Sequence, residues 1–168
     1  MKINIAIVIL SLFCVIGFAT TDTVPNLQNP RYQIYTAGQP NEEGFQYASK
    51  IGVKSVINVL PEKEWLKGEE QMVTNNNMTY NKFPFDPADL NMATIQKFGQ
   101  LLQSQQKPVL IHCSTGNHVG ALWFAYRVLA EKAALGVALK EAREIGLTPE
   151  MENAIFDRVL QERENLRL

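Results

Sequence analysis

Pro108-Val109-Leu110-Ile111-His112-Cys113-Ser114-Thr115-Gly116-Asn117-His118-Val119-Gly120 passes from an apolar run through a glycine turn into a helical pattern. Pro108 to His112 is a continuous apolar stretch of the kind found in strands covered on both faces. Gly116 permits a backbone conformation that residues with a Cβ resist. From Val119 to Lys132, Leu122, Phe124, Ala125, Val128 and Leu129 make a broad helical stripe. A buried strand thus delivers Cys113 to a short turn that opens directly into a helix.

Working outward, the same alternation repeats upstream. Tyr32 to Tyr35 is expected to be a short strand, after which Asn41 caps a helix over Glu42 to Ile51 that Gly52 ends. Val53 to Leu60 is a second buried strand closed by Pro61. Residues 62–75 are helical in composition, and Met78 to Phe83 is a third strand. Asn91 caps a helix over Met92 to Gln103 that leads to the strand before Cys113. Downstream, a helix over Gly136 to Ile145 is ended by Gly146, and Thr148-Pro149 opens a last helix to about Glu164. Strands alternating with helices of this length predict right-handed parallel crossovers. The expected fold class is α/β, a small mainly parallel four-stranded sheet flanked by helices.

The start of the chain reads differently. Residues 1–19 are Met-Lys, an apolar run from Ile3 to Phe18, and small residues at the −3 and −1 positions before a cut after Ala19. This predicts a secretory signal peptide, with a periplasmic or secreted product. The apolar run is shorter than the roughly 20 residues that span a bilayer, so membrane contact is expected only if the segment stays uncleaved. Residues 20–30 are polar and aperiodic and read as a linker, with the domain covering 31–168. Cleavage removes Cys14 and leaves Cys113 as the one thiol in an oxidising compartment, which invites a functional role.

Composition narrows the partners. The 168 residues carry 16 basic and 17 acidic side chains, a formal charge of −1, and no block of Lys or Arg. That excludes the electrostatic footprint of a nucleic-acid binder. Neither cysteine lies in a C-x2-C pair, so no zinc site or redox dithiol is expected.

A cysteine at a strand end is by itself an ordinary small core residue. Here it stands at the carboxyl end of a predicted parallel strand, where α/β proteins bind ligands. The turn after it can point successive N–H groups inward, and the helix N-terminus adds partial positive charge. The same field favours the nucleophilic thiolate. One device thus serves both to activate Cys113 and to bind a phosphate-like anion.

The stretch from His112 to Trp123 resembles the signature loop of bacterial phosphatases related to the dual-specificity protein phosphatases, the "beta-lactamase hydrolase-like" phosphatase group. Ala37-Gly38-Gln39-Pro40, Gly52 to Val59 and Ala142 to Leu147 are also similar to stretches of that family, so the resemblance runs from about Arg31 to the last helix. It implies a cofactor-free phosphomonoesterase in which Cys113 attacks phosphorus to give a phosphocysteine. The amides of Ser114, Thr115, Gly116, Asn117 and His118 would hold the phosphoryl oxygens of a phosphorylated substrate or ligand. The chain departs from the family where the loop closes: His118 stands in place of an arginine, and Val119 in place of a hydroxyl residue.

Arginine presents a permanently charged planar fork, whereas imidazole offers at most one well-placed donor and is mostly neutral above about pH 6.5. Losing one strong donor to developing charge costs roughly 10²- to 10³-fold in rate. Arg127 lies more than two helical turns away and is expected to pack or pair on the helix surface. An acid must also protonate the leaving oxygen. Asp86, in Phe83-Pro84-Phe85-Asp86-Pro87-Ala88-Asp89, is the candidate and Asp89 the second; either is equally a capping or loop-solvating carboxylate. Two alternatives to a weakened phosphatase stay open: a pseudophosphatase that binds a phosphorylated ligand without turnover, and a rhodanese-like sulfurtransferase, whose loop has a similar size.

Overall fold

A computed structural model of the chain describes residues 23–166. The segment expected to be a signal peptide, 1–19, lies outside the described residues, as does the first part of 20–30. One sheet contains β1 (Gln28–Arg31), β2 (Ile34–Ala37), β3 (Ser55–Asn58), β4 (Thr79–Lys82) and β5 (Val109–His112), in the order β1-β2-β5-β3-β4. The pairs β2/β5, β5/β3 and β3/β4 are parallel. The helices are α1 (Glu42–Lys50), α2 (Glu69–Asn75), α3 (Met92–Ser104), α4 (Asn117–Leu129), α5 (Leu135–Ile145) and α6 (Pro149–Asn165).

The sheet has five strands where four were expected, because β1 pairs antiparallel with β2. Gln28-Asn29-Pro30-Arg31 shows no alternation of apolar and polar residues and carries a proline, which only an edge strand tolerates. Its pairing is a tertiary fact with no local signal. The linker reading fails upstream of it too. Val24 is buried, Pro25 O accepts the Gly38 N–H at 2.7 Å, and Thr23 O accepts the Asn41 N–H at 3.2 Å.

Side-chain capping sets three of the six helix starts among the described residues. Asn41 Oδ1 accepts the Gly44 N–H at 2.8 Å and Asn91 Oδ1 the Thr94 N–H at 3.0 Å. Thr148 caps α6 with Pro149 behind it. The helical composition of 62–75 resolves into a 3₁₀ turn, Glu62–Glu64, and the short α2, because Trp65 is extended and Gly68 takes φ +85°.

Period-two alternation along β5 divides the core. Ile111 and Val109 face a cluster with Phe98, Trp123, Phe124 and Ile155 from the later helices, while Leu110 faces Phe45, Val56 and Val73 beside α1 and α2. Each fully buried side chain of this kind stabilises by roughly 1.5–3 kcal/mol. Arg127 does pair, but on the inside rather than on the helix surface. Its guanidinium forks onto Glu141 at 2.8 and 2.9 Å and also meets Glu131, so it is committed to the helix packing.

Candidate active site

Register brings the functional loops to one edge. Ala37, His112, Asn58 and Lys82 stand side by side as the last residues of β2, β5, β3 and β4. The chain segments that follow, Gly38-Gln39, the Cys113 turn, and Phe83 to Asp89, therefore all leave from the carboxyl end of the sheet. Cys113 follows the central strand. Its buried Sγ accepts the Gly116 N–H at 3.1 Å, an N–H···S contact that stabilises negative charge on sulfur.

Backbone contacts brace the turn on both flanks. The Gln39 N–H donates to Ser114 O at 2.9 Å, and the Gly120 N–H to Gly116 O at 2.8 Å. Gly116 takes φ +95°, and a Cβ there would lie 2.2 Å from Ile145 O, so glycine is required both by conformation and by space. Asn26 donates through Nδ2 to the same Ile145 carbonyl. Asn117 Oδ1 accepts the Thr148 N–H at 3.0 Å and ties the end of the turn to the start of α6. Within the turn, no described protein acceptor takes the N–H groups of Ser114, Thr115, Asn117 or His118. These donors gather at the N-terminus of the 13-residue α4, the kind of place where partial positive charge favours an anion.

Asp86 and His118 are brought together; Asp89 is not. A cavity of about 310 Å³ is lined by Asp86, Pro87, Ala88, His118, Met151, Ala154 and Arg158. Asp86 Oδ1 accepts the Ala88 N–H at 2.8 Å, capping the Pro87–Asp89 turn, so this residue is a capping carboxylate that also lines the cavity. Asp89 is exposed outside the cavity. His118 Nδ1 is buried with no partner. Phe83 packs on Phe98 at 5.4 Å and Phe85 is buried, so both aromatics serve the core. Among the described residues, no group of three or more His, Cys, Asp or Glu is placed to hold a metal.

On the opposite face of β5, His112 is buried with Nε2 2.9 Å from Glu69 Oε1, off the line of a well-formed hydrogen bond, and with Nδ1 unpartnered. Glu69 is 1% exposed. Asn58 Nδ2 and Gln39 Nε2 each donate to it at 3.0 Å. Burial alone would raise the Glu69 carboxyl, but His112, Tyr80 and Gln39 together hold it below the usual carboxylate range. A depressed carboxylate stabilises the fold above its unfolded value and loses that contribution as pH falls through its folded value. Glu69→Gln is therefore expected to cost about 1–3 kcal/mol at neutral pH, with a flatter loss of stability on acidification, read by urea unfolding at several pH values. Nothing in the local sequence around Glu69 signals this role. Asn26 is hidden in the same way, inside a stretch whose composition reads as a linker.

Comparison with known proteins relates the fold to solved structures. The chain superposes on the Pseudomonas aeruginosa protein TpbA solved in complex with phosphotyrosine, with a TM-score of 0.64 and 19% identity over 77% of this chain and 80% of that one. It also superposes on the core catalytic domain of the Saccharomyces cerevisiae PP-IP phosphatase SIW14, with a TM-score of 0.64 and 19% identity over 84% and 93% of the two chains. The fold is shared with solved phosphatases. In sequence, 98 residues are 26% identical to a beta-lactamase hydrolase-like protein of Xylella fastidiosa, covering 55% of this chain but 23% of that one. The chain thus spans under a quarter of that longer relative. No family model matches. The α/β phosphatase-like architecture expected from the Cys113 loop is the observed one.

Proposed function

We propose that the protein is a cysteine-dependent phosphomonoesterase acting on a phosphorylated ligand. The observation that carries this reading is the Cys113 sulfur held by the Gly116 N–H in a turn whose other amides have no described acceptor, a turn that ends at His118, which lines a cavity with Asp86. In the first step the Cys113 thiolate forms a P–S bond as the ester P–O bond breaks, and Asp86 passes its proton to the leaving oxygen. In the second, water forms a new P–O bond, the P–S bond breaks, and the water proton returns to Asp86. The amides of Ser114, Thr115, Asn117 and His118, which no described acceptor takes, hold the equatorial oxygens in both steps. That TpbA was solved with phosphotyrosine supports a phosphomonoester as the ligand. The apolar start of the chain supports export, which N-terminal sequencing of the protein from its native host tests.

His118 occupies the place where the resembling family closes its loop with arginine, and this favours a slow catalyst. His118→Arg is expected to raise turnover of an aryl phosphate about 10²-fold; an unchanged rate at saturating substrate argues against phosphoryl contact at this position. Asp86→Asn is expected to lower turnover about 10²-fold for a poor leaving group and little for a good one. The same histidine also motivates the second reading, a module that binds phosphate without turnover. Phosphate binding with no hydrolysis at any pH identifies it, while cyanide-dependent consumption of thiosulfate identifies a sulfurtransferase.

A further inference from the structure

The loop contains no arginine from Cys113 to Gly120, yet a phosphoryl dianion held only by amides and a histidine lacks a fixed counter-charge. The described arginines are few enough to sort. Arg31 and Arg127 pair with Glu131, Arg127 also with Glu141, and Arg143 with Glu152. Arg163 lines a separate cavity with Val128 and Lys132. Arg158 has no carboxylate partner among the described residues, and it lines the same cavity as Asp86 and His118.

Its position is built rather than incidental. Met151, Ala154 and Arg158 recur at helical spacing and turn one face of α6 to the cavity. That helix is tied to the loop where the Thr148 N–H meets Asn117 Oδ1, and to the start of α3 where Glu162 accepts the Met92 N–H at 3.0 Å. Arg158 Nη1 donates to Ala88 O at 2.6 Å, which orients the guanidinium against the loop of Asp86 and uses one of its five N–H donors. The others are left for an acceptor such as a phosphoryl oxygen.

We propose that Arg158, supplied by α6 to the cavity that His118 also lines, is the phosphate-binding cation that the loop itself lacks. The proposal rests on the phosphoryl-binding reading of the Cys113 turn. It makes α6 part of the binding site and explains how a loop closing in histidine still selects a dianion. It also separates the two jobs that one loop arginine performs in the resembling family, because the charge comes from α6 and the donor from α4.

The test titrates inorganic phosphate into the full chain by calorimetry, beside aryl phosphate hydrolysis by the same samples. Arg158→Gln keeps a donor for Ala88 O and removes the charge; it is expected to weaken phosphate binding at least about tenfold. Arg158→Lys should recover part of that loss, and His118→Arg in the Arg158→Gln background should restore binding, a rescue that a merely structural defect would not show. Arg163→Gln should bind as the wild type does. Wild-type affinity in Arg158→Gln, or no rescue by His118→Arg, overturns the role of Arg158. A wild-type protein that binds phosphate but does not turn over removes the catalytic reading alone, and the binding series still decides on Arg158. A wild-type protein that binds no phosphate overturns both.

Discussion

Cys113→Ser is expected to abolish aryl phosphate hydrolysis, with a loss on the order of 10⁴-fold or more, while leaving the fold and phosphate binding in place. The serine hydroxyl fits the buried space of the thiol and can still accept the Gly116 N–H, which lies 3.1 Å from sulfur here. What it lacks is the anionic form at neutral pH, since a hydroxyl gives up its proton far less readily than a thiol. The measurement is steady-state release of phosphate by wild type and variant, with binding of inorganic phosphate as the control. Retained binding with lost turnover separates a missing nucleophile from a collapsed loop; equal turnover in the two proteins places the chemistry elsewhere.

Gly116→Ala is expected to have the largest effect on stability of any single methyl addition at the site. The new Cβ would sit 2.2 Å from Ile145 O and 3.0 Å from Asn26 Nδ2 on a backbone at φ +95°. The positive φ costs about 1–2 kcal/mol, and displacing the Ile145 carbonyl, which also receives the Asn26 amide, adds a further cost of about 1–3 kcal/mol. Thermal unfolding should fall by roughly 10 °C, and phosphate affinity should fall with it because the Gly116 N–H moves off the sulfur. Gly136→Ala is the matched control: nothing lies within 4 Å of its Cβ position, and a helical site gains from the change. A Gly116→Ala protein that melts and binds phosphate as the wild type does would show that the turn is not held as described.

The parts of the fold legible in the sequence are those with local causes. Asn41, Asn91 and Thr148 mark helix starts through side-chain oxygens that the structure shows accepting N–H groups. Gly52 and Gly146, at φ +95° and +124°, mark helix ends. The apolar run before Cys113 marks the central strand because a strand buried on both faces has no polar side to show. What escaped the sequence depends on distant partners. Strand β1 exists through its pairing with β2, and Val24 through its place in the core. Glu69 and Arg158 are unremarkable charged residues of helical stretches until tertiary structure carries one under β5 and the other to the cavity of Asp86. Of the two aspartates left open, Asp86 lines the cavity with His118, while Asp89, at the end of the 3₁₀ turn that Asp86 caps, is exposed outside it.

A phosphocysteine mechanism leaves a covalent mark. Full-length protein mixed with an aryl phosphate, quenched in acid within the first turnovers and digested, should yield the peptide containing Cys113 heavier by one phosphoryl group, and Cys113→Ser should yield none. Phosphate release without that adduct, at a rate that survives Cys113→Ser, would contradict the mechanism.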